Sequence, residues 1–251
     1  MKRTFSIVLT VLLIATTAML LVACGSGGIE SQEDWDNAMQ AFLTADAVTL
    51  KINDNRWTYK AGLIFESHVK YDITIAFDAE MGVVAITRIA TDYNIVGVPS
   101  KGGTHEMYYV LDGTNVIFYR KYVSEYSNDW KHRAALEFDT ADEAAAYLRE
   151  LYTNPTLHTS PYSTDAEFPT FAELQYSNFT ADFWGKFEYE TTIERRVHTY
   201  ELNFANGKPS KFGYDTKIPG DIADTDTYSV SISYSAKITL PSDLPTEDLV
   251  D

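Results

Sequence analysis

The chain has 251 residues, with 20 Lys+Arg against 36 Asp+Glu and a formal net charge of −16. That excess of acid repels nucleic-acid phosphates and anionic lipid headgroups, so no nucleic-acid partner and no basic membrane-docking patch are expected. Seventeen Tyr, 13 Phe and 45% hydrophobic residues argue for a packed core, and a single cysteine leaves no disulfide to support it.

The N-terminus reads as a secretory signal. Lys2 and Arg3 are followed by an apolar run over residues 5–23, broken only by Ser6, Thr10, Thr16 and Thr17, and small residues flank Cys24. The stretch "LVAC" (Leu21, Val22, Ala23, Cys24) resembles the lipobox of bacterial lipoproteins. The resemblance implies a signal peptide over 1–23, cleavage before Cys24, and a diacylglyceryl, palmitate-bearing cysteine at the new N-terminus. Two other readings stay open. The apolar run is near the roughly 18 residues that span a bilayer, and a soluble secreted protein would also be cut after Ala23. Lipidation accounts best for a lone thiol in an oxidising compartment. The expected location is therefore the extracytoplasmic face of the cell membrane. Removal of 1–23 takes away Lys2 and Arg3 and no acid, leaving 18 Lys+Arg against 36 Asp+Glu, a net charge of −18. Attachment would then rest on the acyl chains. Residues 24–30 read as lipidated cysteine plus flexible spacer.

The first folded element is a helix over 32–45, opened by Ser31 and Asp34, with Trp35, Ala38, Met39 and Phe42 at helical spacing. "AVTLKIND" alternates Val48, Leu50 and Ile52 as a half-buried strand, and "NRWTYK" is expected to pair with it after an Asn-Asp-Asn turn. "VKYDITIAFD" is the clearest strand, with Tyr71, Ile73, Ile75 and Phe77 on one face. "VVAITRIAT", "HEMYYVL" and "NVIFYRKYV" follow, separated by turns at "AEMG", "SKGG" and "DGTN". A second helix runs from the Thr140–Glu143 capping box to Asn154-Pro155, with Ala144, Tyr147, Leu148, Leu151 and Tyr152 inward. Residues 155–168 read as a loop, and "PTFAELQY" as a short helix. The C-terminal third returns to strands: "KFEYETTI", "RVHTYELNF", an Asn206-Gly207 hairpin, "KPSKFGYD" and "TYSVSISYS". In the last, Tyr228, Val230, Ile232 and Tyr234 alternate with a row of serines. The tail over 242–251 is acidic and expected to be loose.

Chemistry is sparse. The five histidines (His68, His105, His132, His158, His198) show no metal-ligand spacing, and HExxH, GxSxG and phosphate-cradling glycine loops are missing from the sequence. His105-Glu106 and His198 near Glu201 come nearest to acid–base pairs, and surface or core packing is the commoner fate of such residues. Asp221, Asp224 and Asp226 gather carboxylates without an EF-hand's glycine and closing glutamate, so a solvated loop is expected. "NFT" at Asn178 fits a glycosylation sequon of little meaning in a bacterial lipoprotein. No catalytic residue, metal or cofactor is assigned, and the chain is read as a non-enzyme.

The expected class is α+β: a long curved antiparallel sheet of about ten strands, a half-barrel packed on two or three helices, in one domain over 31–241. The lipobox, "EDWDNAMQAF" followed by "AVTLKI", the hairpin "ELNFANGKPSKF" and the terminal "SYSAKITLP" resemble the LolA/LolB and LppX-like lipoprotein fold. That resemblance implies a curved sheet over helices with an apolar cavity for lipid or lipoprotein acyl chains. Tyr71, Ile73, Ile75, Phe77, Tyr228, Val230, Ile232 and Tyr234 are the candidate lining of such a cavity. The competing expectation is a filled core: a cell-surface lipoprotein that meets a protein partner and holds no ligand. A monomer is expected on either reading.

Overall fold

The computed structural model describes residues 28–60, 64–93, 98–154, 174–182, 185–193, 196–217 and 226–249, with backbone alone at 56–60, 64–67, 101, 193 and 226. The signal segment, Cys24, His158, the loop over 155–168, most of the short helix expected at 169–176, and Asp221 and Asp224 lie outside these residues.

Local chemistry sets the two helices. In α1 (Gln32–Leu43) the Ser31 hydroxyl accepts from the Asp34 backbone N–H, and Glu33 and Asp34 place negative charge in the first turn. In α2 (Ala141–Thr153) Thr140 accepts from the Glu143 N–H in the same way. Each helix buries one stripe: Trp35, Ala38, Met39 and Phe42 from α1, and Ala144, Leu148, Leu151 and Tyr152 from α2.

The strands are β1 (Ala47–Lys60), β2 (Ile64–Asp78), β3 (Val83–Tyr93), β4 (Pro99–Asp112), β5 (Asn115–Val123), β6 (Asn128–Glu137), β7 (Thr180–Ala181), β8 (Lys186–Ile193), β9 (Arg196–Ala205), β10 (Lys208–Lys217) and β11 (Asp226–Ser233). They form one sheet in the order β6-β5-β4-β3-β2-β1-β11-β10-β9-β8-β7, antiparallel throughout. The chain lays down one meander from β1 outward to β6 and a second from β7 inward to β11. The two join at the β1–β11 seam, so the edges are β6 and β7 and the sheet is curved and unclosed. The α+β half-barrel expected from the sequence is the observed fold.

Three departures have physical causes. Residues 53–55 are no turn: they continue β1, with Asn53, Asp54 and Asn55 paired to β2 on one side and β11 on the other. Ladders on both sides override the poor strand propensity of Asn and Asp. "SKGG" is likewise inside β4, where the register with β3 slips between Ile89 and Thr91. The glycines take up a bulge rather than a turn. β6 was not anticipated, because Lys131, His132 and Arg133 mask its alternation, yet His132, Ala134 and Leu136 pair in register with Arg120, Phe118 and Val116.

Both helices pack on one face of the sheet, here the inner face. Trp35 is the hub on the β8–β10 side: 1% exposed, it donates its indole N–H to the Leu174 carbonyl at 3.1 Å. Tyr176, Phe179, Phe187 and Phe204 surround it with ring centroids 5.1–5.7 Å away. On the β2–β5 side Tyr152 stacks on Phe77 at 4.8 Å and meets Phe42 edge-on at 5.5 Å. Its hydroxyl lies 3.0 Å from the carbonyls of both Phe42 and Leu43, tying α2 to the last turn of α1. Tyr152→Phe takes this donor from the Leu43 carbonyl, while the Phe42 carbonyl still accepts from the Ala45 N–H, and is expected to cost about 1 kcal/mol in chemical denaturation.

The chain ends are held as well. Ile29, placed in the spacer by its position, is 3% exposed and belongs to the core. The acidic tail, expected to be loose, is pinned to β5 and β6. Asp243 accepts from Lys121 Nζ at 3.4 Å and Trp130 Nε1 at 3.3 Å, and Asp248 pairs with Arg133. Leu249 forms a backbone bridge to Arg133, which covers part of the free β6 edge.

Candidate functional site

Strand alternation fixes which side chains face inward, and register then fixes the rows they form. The eight predicted lining residues do share the inner face around the seam: Ile52 stands opposite both Val230 and Ile73, and Leu50 opposite Ile232 and Ile75. Six of them are sealed, at 8% exposure for Tyr71, 2% or less for Ile73, Ile75, Phe77, Tyr228 and Val230. Ile232 and Tyr234 are partly buried, the Tyr234 hydroxyl donating to the Pro209 carbonyl at 2.9 Å. The seam is thus closely packed core.

The β3–β5 wing differs. From Gly103 to Val110 every residue of β4 is only partly buried, and Phe118, Tyr119 and Arg120 of β5 are the same. The inward residues here are Met107 and Tyr109 of β4, opposite Ile86 and Val84 of β3, and Phe118 of β5, opposite Tyr109. Tyr109 and Phe118 sit 4.7 Å apart, and Tyr147 of α2 meets Tyr109 at 6.3 Å. Met107 and Tyr109 pack against the sealed core on one side. The result is an apolar, aromatic strip beside α2, half-covered where the seam is closed. Burial pushes the Tyr109 phenol far above its ordinary range, so it stays neutral.

One end of this strip is cationic. Arg88 is inward on β3, opposite Ile73 on one side and His105 on the other. Arg120 is inward on β5, opposite Met107 and His132. The Arg88 guanidinium lies 4.8 Å over the Tyr71 ring, and its Nε is buried without a hydrogen-bond partner. Tyr122, opposite His105, fits because position 103 has no side chain: a Cβ there would fall 2.3 Å from the Tyr122 ring.

Burial first, then the charges of Arg88 and Arg120, hold the His105 imidazole below its ordinary 6.5, and burial does the same to His68. The folded chain therefore keeps these rings neutral where the unfolded chain already takes up protons. Their contribution to stability is complete above pH 6.5 and is lost as pH falls through 6.5 toward the lower folded values. The urea midpoint should fall between about pH 7 and about pH 5.5, and His105→Gln should flatten that slope.

A second polar group sits across the seam, where His198 Nδ1 and the Tyr214 hydroxyl are 2.7 Å apart and both residues are buried. His198 faces inward and Glu201 outward, where Glu201 pairs with Lys186 at 2.8 Å, so the two form no acid–base pair. His105 and Glu106 likewise point to opposite faces of β4. Among the described residues no group of three or more His, Cys, Asp or Glu could hold a metal ion. No helix of the described residues is long and apolar enough to cross a membrane.

No family model matches the chain, and no curated protein matches it. Among solved structures, an S-type phycobiliprotein lyase from Guillardia theta is similar over 84% of this chain and 100% of its own, at 8% identity and a TM-score of 0.25. A likeness that weak carries nothing about ligand or activity. What the site can do follows from its own residues.

Proposed function

We propose that this chain is a lipid-anchored extracytoplasmic binding protein that holds an apolar or amphipathic ligand, without catalysis, against the inner face of β3–β5. The supporting observation is the contrast in closure on a single face. Ile52, Ile73 and Val230 at the seam are 0–2% exposed, while Met107, Tyr109 and Phe118 one wing away remain half-covered. Apolar surface left part-open beside a solid core is where a ligand gains burial without unpacking the fold. The site thus lies beside the seam residues the sequence favoured, on strands whose inward phase needs the pairing register to be seen.

The anchor is the acylated Cys24. Ile29 in the core follows it by five positions, a reach of at most about 18 Å, which holds the domain close to the bilayer that would supply and receive an alkyl ligand. The test is displacement of a fluorescent alkyl probe. Wild type should bind it and Met107→Asp should lose it with its thermal transition retained. Equal binding by both variants would contradict the location. A second reading, a surface lipoprotein with a filled core that meets a protein partner, is favoured by the sealed seam alone. It requires no probe uptake at all.

A further inference from the structure

We infer that the ligand carries a carboxylate at the Arg88 end of the strip, so that it is a long-chain carboxylic acid rather than a neutral lipid. This rests on the reading that the β3–β5 strip binds an alkyl ligand, and it adds the head group.

Three observations carry it. Arg88 is a cation in the inward phase of β3, which runs Val84, Ile86, Arg88, Ala90 and Asp92: the first two are core, Ala90 is partly buried and Asp92 is exposed. Its ring partner is Tyr71, and its Nε is buried with nothing to donate to. A buried donor left unserved is costly, and the other such arginine nitrogen, Arg133 Nε, belongs to a guanidinium already paired with Asp248, as Arg88 is not. Second, Arg120 and His105 share the same face, and the charges of both arginines act on His105. Third, the described ion pairs join acids to Lys70, Lys121, Lys131, Arg133, Arg149 and Lys186, but none to Arg88. Asp54 of β1, buried on the same face, stands opposite the Tyr71 ring that Arg88 overlies, and among the described residues no ion pair joins it to Arg88.

A guanidinium presents Nε–H and Nη–H as a planar fork that a carboxylate accepts with both oxygens. A phosphomonoester dianion would need more donors and would be penalised further by a body carrying 18 Lys+Arg against 36 Asp+Glu after removal of 1–23. The rest of the ligand has somewhere to go. Four residues along β3 separate the Arg88 row from the Val84–Tyr109–Phe118 row, about 13 Å at the usual strand rise. An alkyl chain anchored at Arg88 and lying toward α2 would therefore cover Met107, Tyr109 and Phe118.

The experiment uses the full-length protein in membranes, labelled with three photoreactive probes of one chain length: a fatty acid, the matching fatty alcohol and a phosphate-headed lysolipid. Crosslinked peptides are mapped by mass spectrometry. The acid should label β4 and β5 peptides most strongly, and Arg88→Gln should cut acid labelling about ten-fold while leaving alcohol labelling unchanged. Arg88→Lys, which keeps the charge and loses the fork, should fall between. Melting followed by circular dichroism should show Arg88→Gln still unfolding cooperatively at a temperature close to wild type, since the Nε has no partner to lose and only the contact with the Tyr71 ring goes. Acid and alcohol labelling those peptides equally in wild type and variant would overturn the head-group assignment and leave alkyl binding standing. Stronger labelling by the phosphate-headed probe would also overturn it. If none of the three labels β4 or β5, the alkyl-binding reading falls with it.

Discussion

Cys24→Ser is expected to abolish incorporation of labelled palmitate and to leave the protein either released from the membrane fraction or stalled as an unprocessed precursor. The expected size of the effect follows from how little else would hold the mature protein there. Two acyl chains contribute about 0.8 kcal/mol per buried methylene, enough for stable anchoring. The processed body would carry 18 Lys+Arg against 36 Asp+Glu, so its field opposes an anionic surface. Serine keeps the size and polarity of the site but offers no thiol for thioether formation. Palmitate recovered on the Cys24→Ser protein would contradict the anchor.

Trp35→Ala should be the most damaging single change in the core, with an expected loss of about 3–5 kcal/mol in urea unfolding. The indole is 1% exposed, touches four aromatic rings within 5.7 Å and closes a hydrogen bond to Leu174. Removing it empties the junction between α1 and the β8–β9 hairpin, and leaves the Leu174 carbonyl unserved. Trp35→Phe should recover part of the packing but not the hydrogen bond, and so fall between. A loss below about 1 kcal/mol for the alanine variant would show that this side of the inner face is not packed as described.

Elements with one strong periodic face were legible in the sequence. Tyr71, Ile73, Ile75 and Phe77 declare β2 by strict alternation, and Ser31 and Thr140 declare both helix starts by capping. Asn206, at φ 53°, and Gly207, at φ 67°, make the turn their dipeptide announces. What escaped was decided by neighbours distant in the chain. Asn53–Asn55 stays extended only because β2 and β11 flank it. In the bulge Gly103 leaves room for the Tyr122 ring, about twenty residues on, and Gly102 for the Ala90 carbonyl. β6 hides its inward Ala134 and Leu136 among charges. The cationic end of the strip was half-visible: Arg88 is in phase with Val84 and Ile86, and a charge in an inward phase is a signal in its own right. That His105 and Arg120 join it depends on the β3–β4–β5 register, including the slip at Ile89/Thr91. Local pattern cannot supply that register.

The central claim is that the β3–β5 strip holds an alkyl ligand in a lipid-anchored protein. Native mass spectrometry of the full-length protein, released from membranes and stripped of weakly held detergent, tests it most directly. Wild type should show a mass increment of one lipid-sized molecule beyond the acylated Cys24, and Met107→Asp should lack it. A single apo mass for wild type would contradict it, as would an increment that Met107→Asp retains.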